Sequence, residues 1–270
     1  MRVIIVTQTF PPRFGGMQSV MSALAKNFSK TIPTFVLPDH HIPDSHPIRS
    51  YKIKFNFSNF PKFLRPLIKK IKLKKILKKD DIIICDSWKS LNALPNTNNK
   101  VVMLAHGQEY LSKSKKNKIN KLLKKVNIVI SSSNYTKNIF LNICKFPENK
   151  IHIIPPTYEL ENDKIKIHNK SSNKKNLILT TISRLEERKG FLPVIKALKN
   201  LVEKKSINNF TWSIYGDGYL KEKINKQIDY YKLNKYIKIK NFVNEVSKEQ
   251  ILLNSNLFIM PSYKVKNSVE

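Results

Sequence analysis

The 270-residue sequence predicts two α/β domains, each a parallel sheet with crossover helices, on three observations. Short apolar runs alternate with longer segments of helical period, the pattern of βαβ units. The alternation starts afresh after a charged, Asn-rich stretch at 159–175, where a linker is expected between domains 1–158 and 176–270. All six glycines, Gly15, Gly16, Gly107, Gly190, Gly216 and Gly218, fall where a predicted strand hands over to a helix.

In the first domain the runs at 3–7, 34–37, 82–85, 101–105 and 128–132 read as strands, and 17–29, 116–125 and 135–142 as helices. Ile151-His152-Ile153-Ile154-Pro155-Pro156 is its last ordered run. The second domain repeats the pattern, with strands at 177–183, 211–215, 237–242 and 257–260 and helices at 192–204, 220–231 and 248–253. From Lys62 to Lys79 nine cations interleave with apolar residues. Leu64, Leu67, Ile68 and Ile71 share one helical face there, and Leu73, Ile76 and Leu77 follow after a slip in register. Two readings stand for that segment: a crossover helix with a basic outer face, or a helix lying on anionic lipid.

Composition bounds the function. An apolar content of 41% supports a core in each domain and excludes a disordered tail. Fifty Lys plus Arg against nineteen Asp plus Glu give a net charge of +31, which fits an anionic partner. Only six of those cations are Arg, and Lys, Asn and Ile share A/T-rich codons, so coding bias accounts for the charge equally well. Cys85 and Cys144 form no C-x-x-C pair, which argues against a disulfide framework or a structural zinc site. The amino-terminal run is too short for a signal peptide, and no stretch reaches ~18 apolar residues. A cytoplasmic protein, or one peripheral on the inner face of the cell membrane, is expected. Asp39, His40, His41, Asp44 and His46 are metal-ligand types, but their spacing and the neighbouring Pro38, Pro43 and Pro47 read as a polar loop, so no metal is expected.

Glycines at strand-to-helix junctions matter because open α/β sheets bind ligands outside the carboxyl ends of their strands. Two such edges facing each other would make an interdomain cleft. Gly15-Gly16 before a helix offers free N–H groups and a positive dipole end, an anion site. Neither the dinucleotide fingerprint nor a P-loop is present. In Ser183-Arg184-Leu185-Glu186-Glu187-Arg188-Lys189-Gly190, a guanidinium and an ammonium lie between strand and helix, where they can hold a diphosphate.

An ordered series of motifs spans almost the whole chain: Phe10-Pro11-Pro12-Arg13-Phe14-Gly15-Gly16, His106-Gly107, Ser131-Ser132-Ser133-Asn134-Tyr135-Thr136, Ile154-Pro155-Pro156, Ser183-Arg184-Leu185, Lys189-Gly190, Gly216-Asp217-Gly218 and Asn256-Leu257-Phe258-Ile259-Met260-Pro261-Ser262. The series resembles the retaining glycosyltransferases of the GT-B fold, glycosyltransferase family 4 in particular. The resemblance implies two Rossmann-like domains facing a cleft. It also implies transfer of a sugar from a nucleotide-sugar donor to a glycan or lipid-linked acceptor, in cell-surface polysaccharide or glycolipid synthesis. Gly15 and Gly16 would then meet the donor diphosphate, Arg184 and Lys189 would neutralise the leaving diphosphate, and His106 would lie by the transferred sugar. Glu270 matches the first carboxylate of the family's Glu-x7-Glu motif and would bond sugar hydroxyls. The base would rest near Gly216, Phe242 and Val243, with Asn244 standing where the family often has Gly. No cofactor or metal is implied, and the chain has no Asp-x-Asp triplet.

The sequence stops inside that motif, so the second domain is expected to be incomplete and the chain to be a truncated family member. Three other readings remain open: a nucleotide-sugar epimerase relative using His106 and Glu109, an inactive GT-B fragment, and a polyanion binder driven by charge. Nucleic acid is not an expected partner, and an anionic membrane surface met through Lys62 to Lys79 stays open beside the ordinary crossover helix.

Overall fold

The computed structural model describes residues 1–11, 13, 15–39, 51–53, 57, 60–156, 176–241, 243 and 245–265, the side chains of 245 and 246 excepted. The chain forms two compact units, Met1–Glu159 and Leu160–Glu270.

The first unit runs β1 (Val3–Val6), α1 (Gly16–Phe28), β2 (Thr34–Leu37), β3 (Lys52–Ile53), α2 (Arg65–Ile76), β4 (Ile82–Cys85), β5 (Lys100–Ala105), α3 (Lys116–Leu123), β6 (Ile128–Ser131), α4 (Asn134–Ile143) and β7 (Ile151–Ile153). Its strands form a seven-stranded parallel sheet in the order β3-β2-β1-β4-β5-β6-β7. Strand order reverses between β1 and β4, which makes their carboxyl ends the switch point. β1 is buried along its whole length, as a strand covered on both faces must be. Alternation then divides the sheet between two cores. Ile4, Val6, Ile83 and Met103 pack with Leu73 of α2, Ile119 of α3 and Phe140 of α4. Val3, Ile5, Ile84 and Leu104 pack with Met21 and Ala25 of α1.

The second unit runs β8 (Leu177–Ile182), α5 (Phe191–Glu203), β9 (Phe210–Tyr215), α6 (Lys221–Tyr230), β10 (Ile237–Lys240), α7 (Glu245–Leu253) and β11 (Leu257–Phe258). Its sheet is parallel, in the order β10-β9-β8-β11. Trp212 is the centre of the core on one face, packed with Phe191, Ile195 and Ile224, its indole N–H donating to Thr181 Oγ1 at 3.0 Å. On the other face β8, β9 and β10 present Thr180, Ser213 and Lys240 to a cavity of about 360 Å³ also lined by Gln250 and Ile251 of α7 and by Asn254 just after it.

The expected strands and helices occur in the expected order, with two additions. β3 pairs two residues and β7 three, too few for periodicity to reveal. The segment from Lys62 to Lys79 forms the shorter helix α2, a crossover between β3 and β4. Its register departs from the expected apolar face. Lys69 and Leu73 are buried while Leu67 and Ile71 are exposed, because the face that meets the sheet is set by Leu73 and the partly buried Ile68 and Ile76. Lys69 enters the interior because it has partners there: its ammonium pairs with Asp39, donates to the Thr7 carbonyl at 2.8 Å and lies over the Phe57 ring. Of the cluster from Asp39 to His46, the other members lie outside the described residues. Among the described residues no helix is long and apolar enough to cross a membrane.

Candidate functional site

In a parallel sheet every strand ends on the same edge, so the turns after β1, β4 and β5 gather at one place in the first unit. After β4 comes Asp86, fully buried. Its carboxylate accepts from Thr7 Oγ1 at 2.8 Å, from the Gln8 and Thr9 backbone N–H groups at 2.8 and 3.2 Å, from Thr9 Oγ1 at 2.9 Å and from Ser90 Oγ. One side chain thus fixes the turn leaving β1 at the switch point. That turn leads to Gly15 and the amino end of α1, where no side-chain cap is formed among the described residues. The first N–H groups of α1 have no intrahelical acceptor, and a Cβ on Gly16 would meet nothing within 4 Å. This is the geometry of an open anion site.

His106 follows β5 beside that turn. Its Nε2 lies 2.8 Å from the Asp86 carbonyl, which can only accept, so Nε2 carries a proton and Nδ1 is the acceptor of the neutral ring. Burial lowers the imidazole's pKa against the raising pull of Asp86. A neutral ring with one acceptor suits a hydroxyl ligand. Three residues on, the Glu109 carboxylate accepts from the His106 backbone N–H at 3.4 Å, and burial pushes its carboxyl up to about 7. Asp86 adds to that rise, while Tyr110, the His106 N–H and Lys89 oppose it.

In the second unit the turn after β8 carries the cations. Gly190, in the left-handed region with φ of 76°, begins α5, and a Cβ there would lie 2.2 Å from the Pro261 carbonyl oxygen. The turn after β9 is pressed against the same loop: a Cβ on Gly216, whose φ is 151°, would lie 1.9 Å from the Ser183 carbonyl oxygen. Leu185 N–H donates to Asp217 O at 2.9 Å and Leu220 N–H to Leu185 O at 3.1 Å, locking the two turns together. Within the loop, Glu186 bridges Arg184 at 2.9 Å and Arg188 at 2.8 Å. Arg188 is buried, whereas the Arg184 side chain is 67% exposed. Burial, and then the Arg188 and Arg184 charges, depress the Lys189 ammonium. Two guanidinium groups therefore share the Glu186 carboxylate and an ammonium stands within reach of their charge at a sheet edge, an arrangement suited to a ligand with two or more negative charges.

Of the residues singled out in the sequence, Gly15, Gly16 and His106 share the strand-end edge of the first unit, and Arg184, Lys189, Gly216 and Val243 that of the second. Phe242, Asn244 and Glu270 lie outside the described residues. Two residues were missed. Asp86 follows the apolar run Ile82-Ile83-Ile84-Cys85 as an ordinary polar strand terminus would, and only its placement at the switch point could have raised it. Arg188 was passed over for Arg184, though it is the buried anchor that orients Glu186.

Comparison with known proteins bears on the family and the fold. The family profile described as Glycosyltransferase Family 4 matches residues 14–162, and that of glycosyl transferases group 1 matches 163–270. No curated protein matches significantly. A glycosyltransferase from Rickettsia africae superposes with a TM-score of 0.68 at 21% identity, over 97% of this chain and 73% of that one. Anabaena HepE, solved in complex with UDP, gives a TM-score of 0.68 at 18% identity over 97% and 74%. The lipopolysaccharide outer core galactosyltransferase WaaB gives 0.67 at 14% over the same shares. At such identities the likeness speaks for the fold, a GT-B glycosyltransferase fold. Fold and family profiles point the same way, and the chain belongs to glycosyltransferase family 4, with the group 1 glycosyl transferase region as its second unit.

Proposed function

We propose that this glycosyltransferase moves a hexose from a nucleoside diphosphate sugar to a hydroxyl of a glycan or lipid-linked acceptor, with retention of configuration, in cell-surface polysaccharide or glycolipid synthesis. The observation that carries the reading is the pairing of Arg184 and Arg188 with Glu186, with Lys189 in the same turn feeling both guanidinium charges, at the strand-end edge of the second unit. As the bond from the anomeric carbon to the diphosphate oxygen breaks, negative charge grows on the departing diphosphate, and fixed cations act on charge that the ground state lacks. The acceptor hydroxyl forms the new bond on the same face, and its proton passes to the departing phosphate oxygen. No metal takes part in this account.

Gly15 and Gly16 would supply backbone N–H groups to the diphosphate, and neutral His106 would accept at Nδ1 from a hydroxyl of the transferred sugar. Glu270 would hold further hydroxyls, and Gly216, Phe242 and Val243 would border the base. HepE, of like fold, is solved with UDP-glucose, which makes UDP the first nucleotide to test. A cytoplasmic enzyme, peripheral on the inner membrane face, fits such substrates.

The test is titration of the full chain with UDP, GDP and ADP, followed by the same titration of Arg184→Ala and Lys189→Ala. One nucleotide is expected to bind best and both variants to bind it weakly, with turnover down on the order of a hundredfold where donor and acceptor are supplied. Undiminished binding and turnover in both variants would overturn the assignment. Conversion of the donor to its epimer without transfer would identify an epimerase instead.

A further inference from the structure

The outer face of α2 is not that of an ordinary crossover helix. Phe63, in the turn that leads into the helix, is 80% exposed, and Leu67 and Ile71 are 55% and 52% exposed. Ile68 N–H donates to Leu64 O at 3.0 Å, so the turn and helix share one register. Residues 63, 67 and 71 then form one stripe, each a turn beyond the last. Lys74 continues the stripe, Lys70 and Lys75 flank it, and all three are exposed. No Asp or Glu occurs between residues 60 and 79. The one cation of α2 that turns inward, Lys69, is already matched by Asp39.

We propose that this stripe is a membrane-docking face: Phe63, Leu67 and Ile71 enter the headgroup and acyl boundary of an anionic bilayer while Lys70, Lys74 and Lys75 meet lipid phosphates. An interfacial helix needs this division, apolar tips at its centre and cations at the rim. A second copy of the chain is a poor occupant, because a two-fold contact would bring the same lysines against one another. The surface is independent of the proposed transfer reaction and is tested without it.

The test is sedimentation of the full chain with phosphatidylcholine vesicles, with and without phosphatidylglycerol, at physiological salt. Preference for the anionic vesicles is expected. Phe63→Ser with Leu67→Ser should weaken that binding at least tenfold. Lys70→Glu, Lys74→Glu and Lys75→Glu together should weaken it by a hundredfold or more, at about fivefold for each lysine removed. The comparison is Lys118→Glu, Lys121→Glu and Lys124→Glu, exposed positions in and just after α3 that change net charge equally. Far-ultraviolet circular dichroism checks that each variant folds. Equal binding to both vesicles, no binding, or equal losses in the two triple variants would overturn the proposal, the last in favour of diffuse attraction from the +31 charge. A change in oligomeric state without a change in vesicle binding would overturn it in favour of a second copy.

Discussion

Asp86 holds the turn after β1 with one carboxylate, and removing it leaves several donors stranded. In Asp86→Ala the Gln8 N–H and the Thr9 and Ser90 hydroxyls lose their acceptor, while the Thr7 hydroxyl keeps the Thr9 carbonyl and the Thr9 N–H keeps Thr7 Oγ1. A loss of about 3 kcal/mol is expected in denaturant unfolding. Asp86→Asn keeps one acceptor oxygen and should lose less; equal losses would mean that charge, not hydrogen bonding, sets the value. Glu109 makes a pH prediction. Folded, its carboxyl keeps a proton up to about 7, whereas its ordinary value is 4.5. Between those values the folded chain binds more protons than the unfolded one, so stability present below 4.5 is lost as pH rises towards 7. Solvent screening at this half-buried group reduces the effect to roughly 1–2 kcal/mol. In thermal melts Glu109→Gln should therefore gain several degrees on the wild type between about pH 5 and 7.5. An unchanged difference across that range would place the ionisation in the ordinary carboxylate range. Arg184 was visible in the sequence as an arginine between strand and helix, whereas Asp86, one of eight aspartates, is an ordinary strand terminus until the strand order shows that it stands beside β1.

Strands and helices of ordinary length were legible because burial on both faces writes unbroken apolar runs such as Val3-Ile4-Ile5-Val6, and helices write a 3.6 period. The two-residue strands β3 and β11 draw their order from neighbours. α2 was misread in register because Lys69 stands in a buried place and Leu67 and Ile71 in exposed ones, the reverse of what polarity predicts. These differences should appear in hydrogen exchange. Amides of β1, β4 and β5, central in the seven-stranded sheet, should exchange at least about a hundredfold more slowly than those of β3 and β11 at the sheet margins. Uniform protection across these strands would contradict the topology. At the start of α5, Gly190→Ala combines a left-handed φ with a backbone oxygen 2.2 Å from the new Cβ. A cost of about 2–3 kcal/mol in unfolding is expected.

For the whole chain the dominant number is its charge. At +31, repulsion among like charges opposes compaction in both units. Salt screens that repulsion over a Debye length of about 10 Å at 0.1 M, so melting temperature should rise as sodium chloride is raised from low to physiological concentration. A fall would mean that ion pairs such as Arg2–Asp81, linked within the first unit, outweigh the net repulsion. The two units bury separate sets of side chains, two clusters in the first and one in the second.

The contact between the turns after β8 and β9 has a consequence for how this protein can be altered. The Ser183 and Leu185 carbonyl oxygens occupy the places where side chains on residues 216 and 218 would begin. Neither turn can then be exchanged alone: a chimera taking one from a relative inherits a mismatch along the shared seam, whereas one taking both carries a fitted pair. The two loops are one inherited part, and substitutions in one will find their compensation in the other.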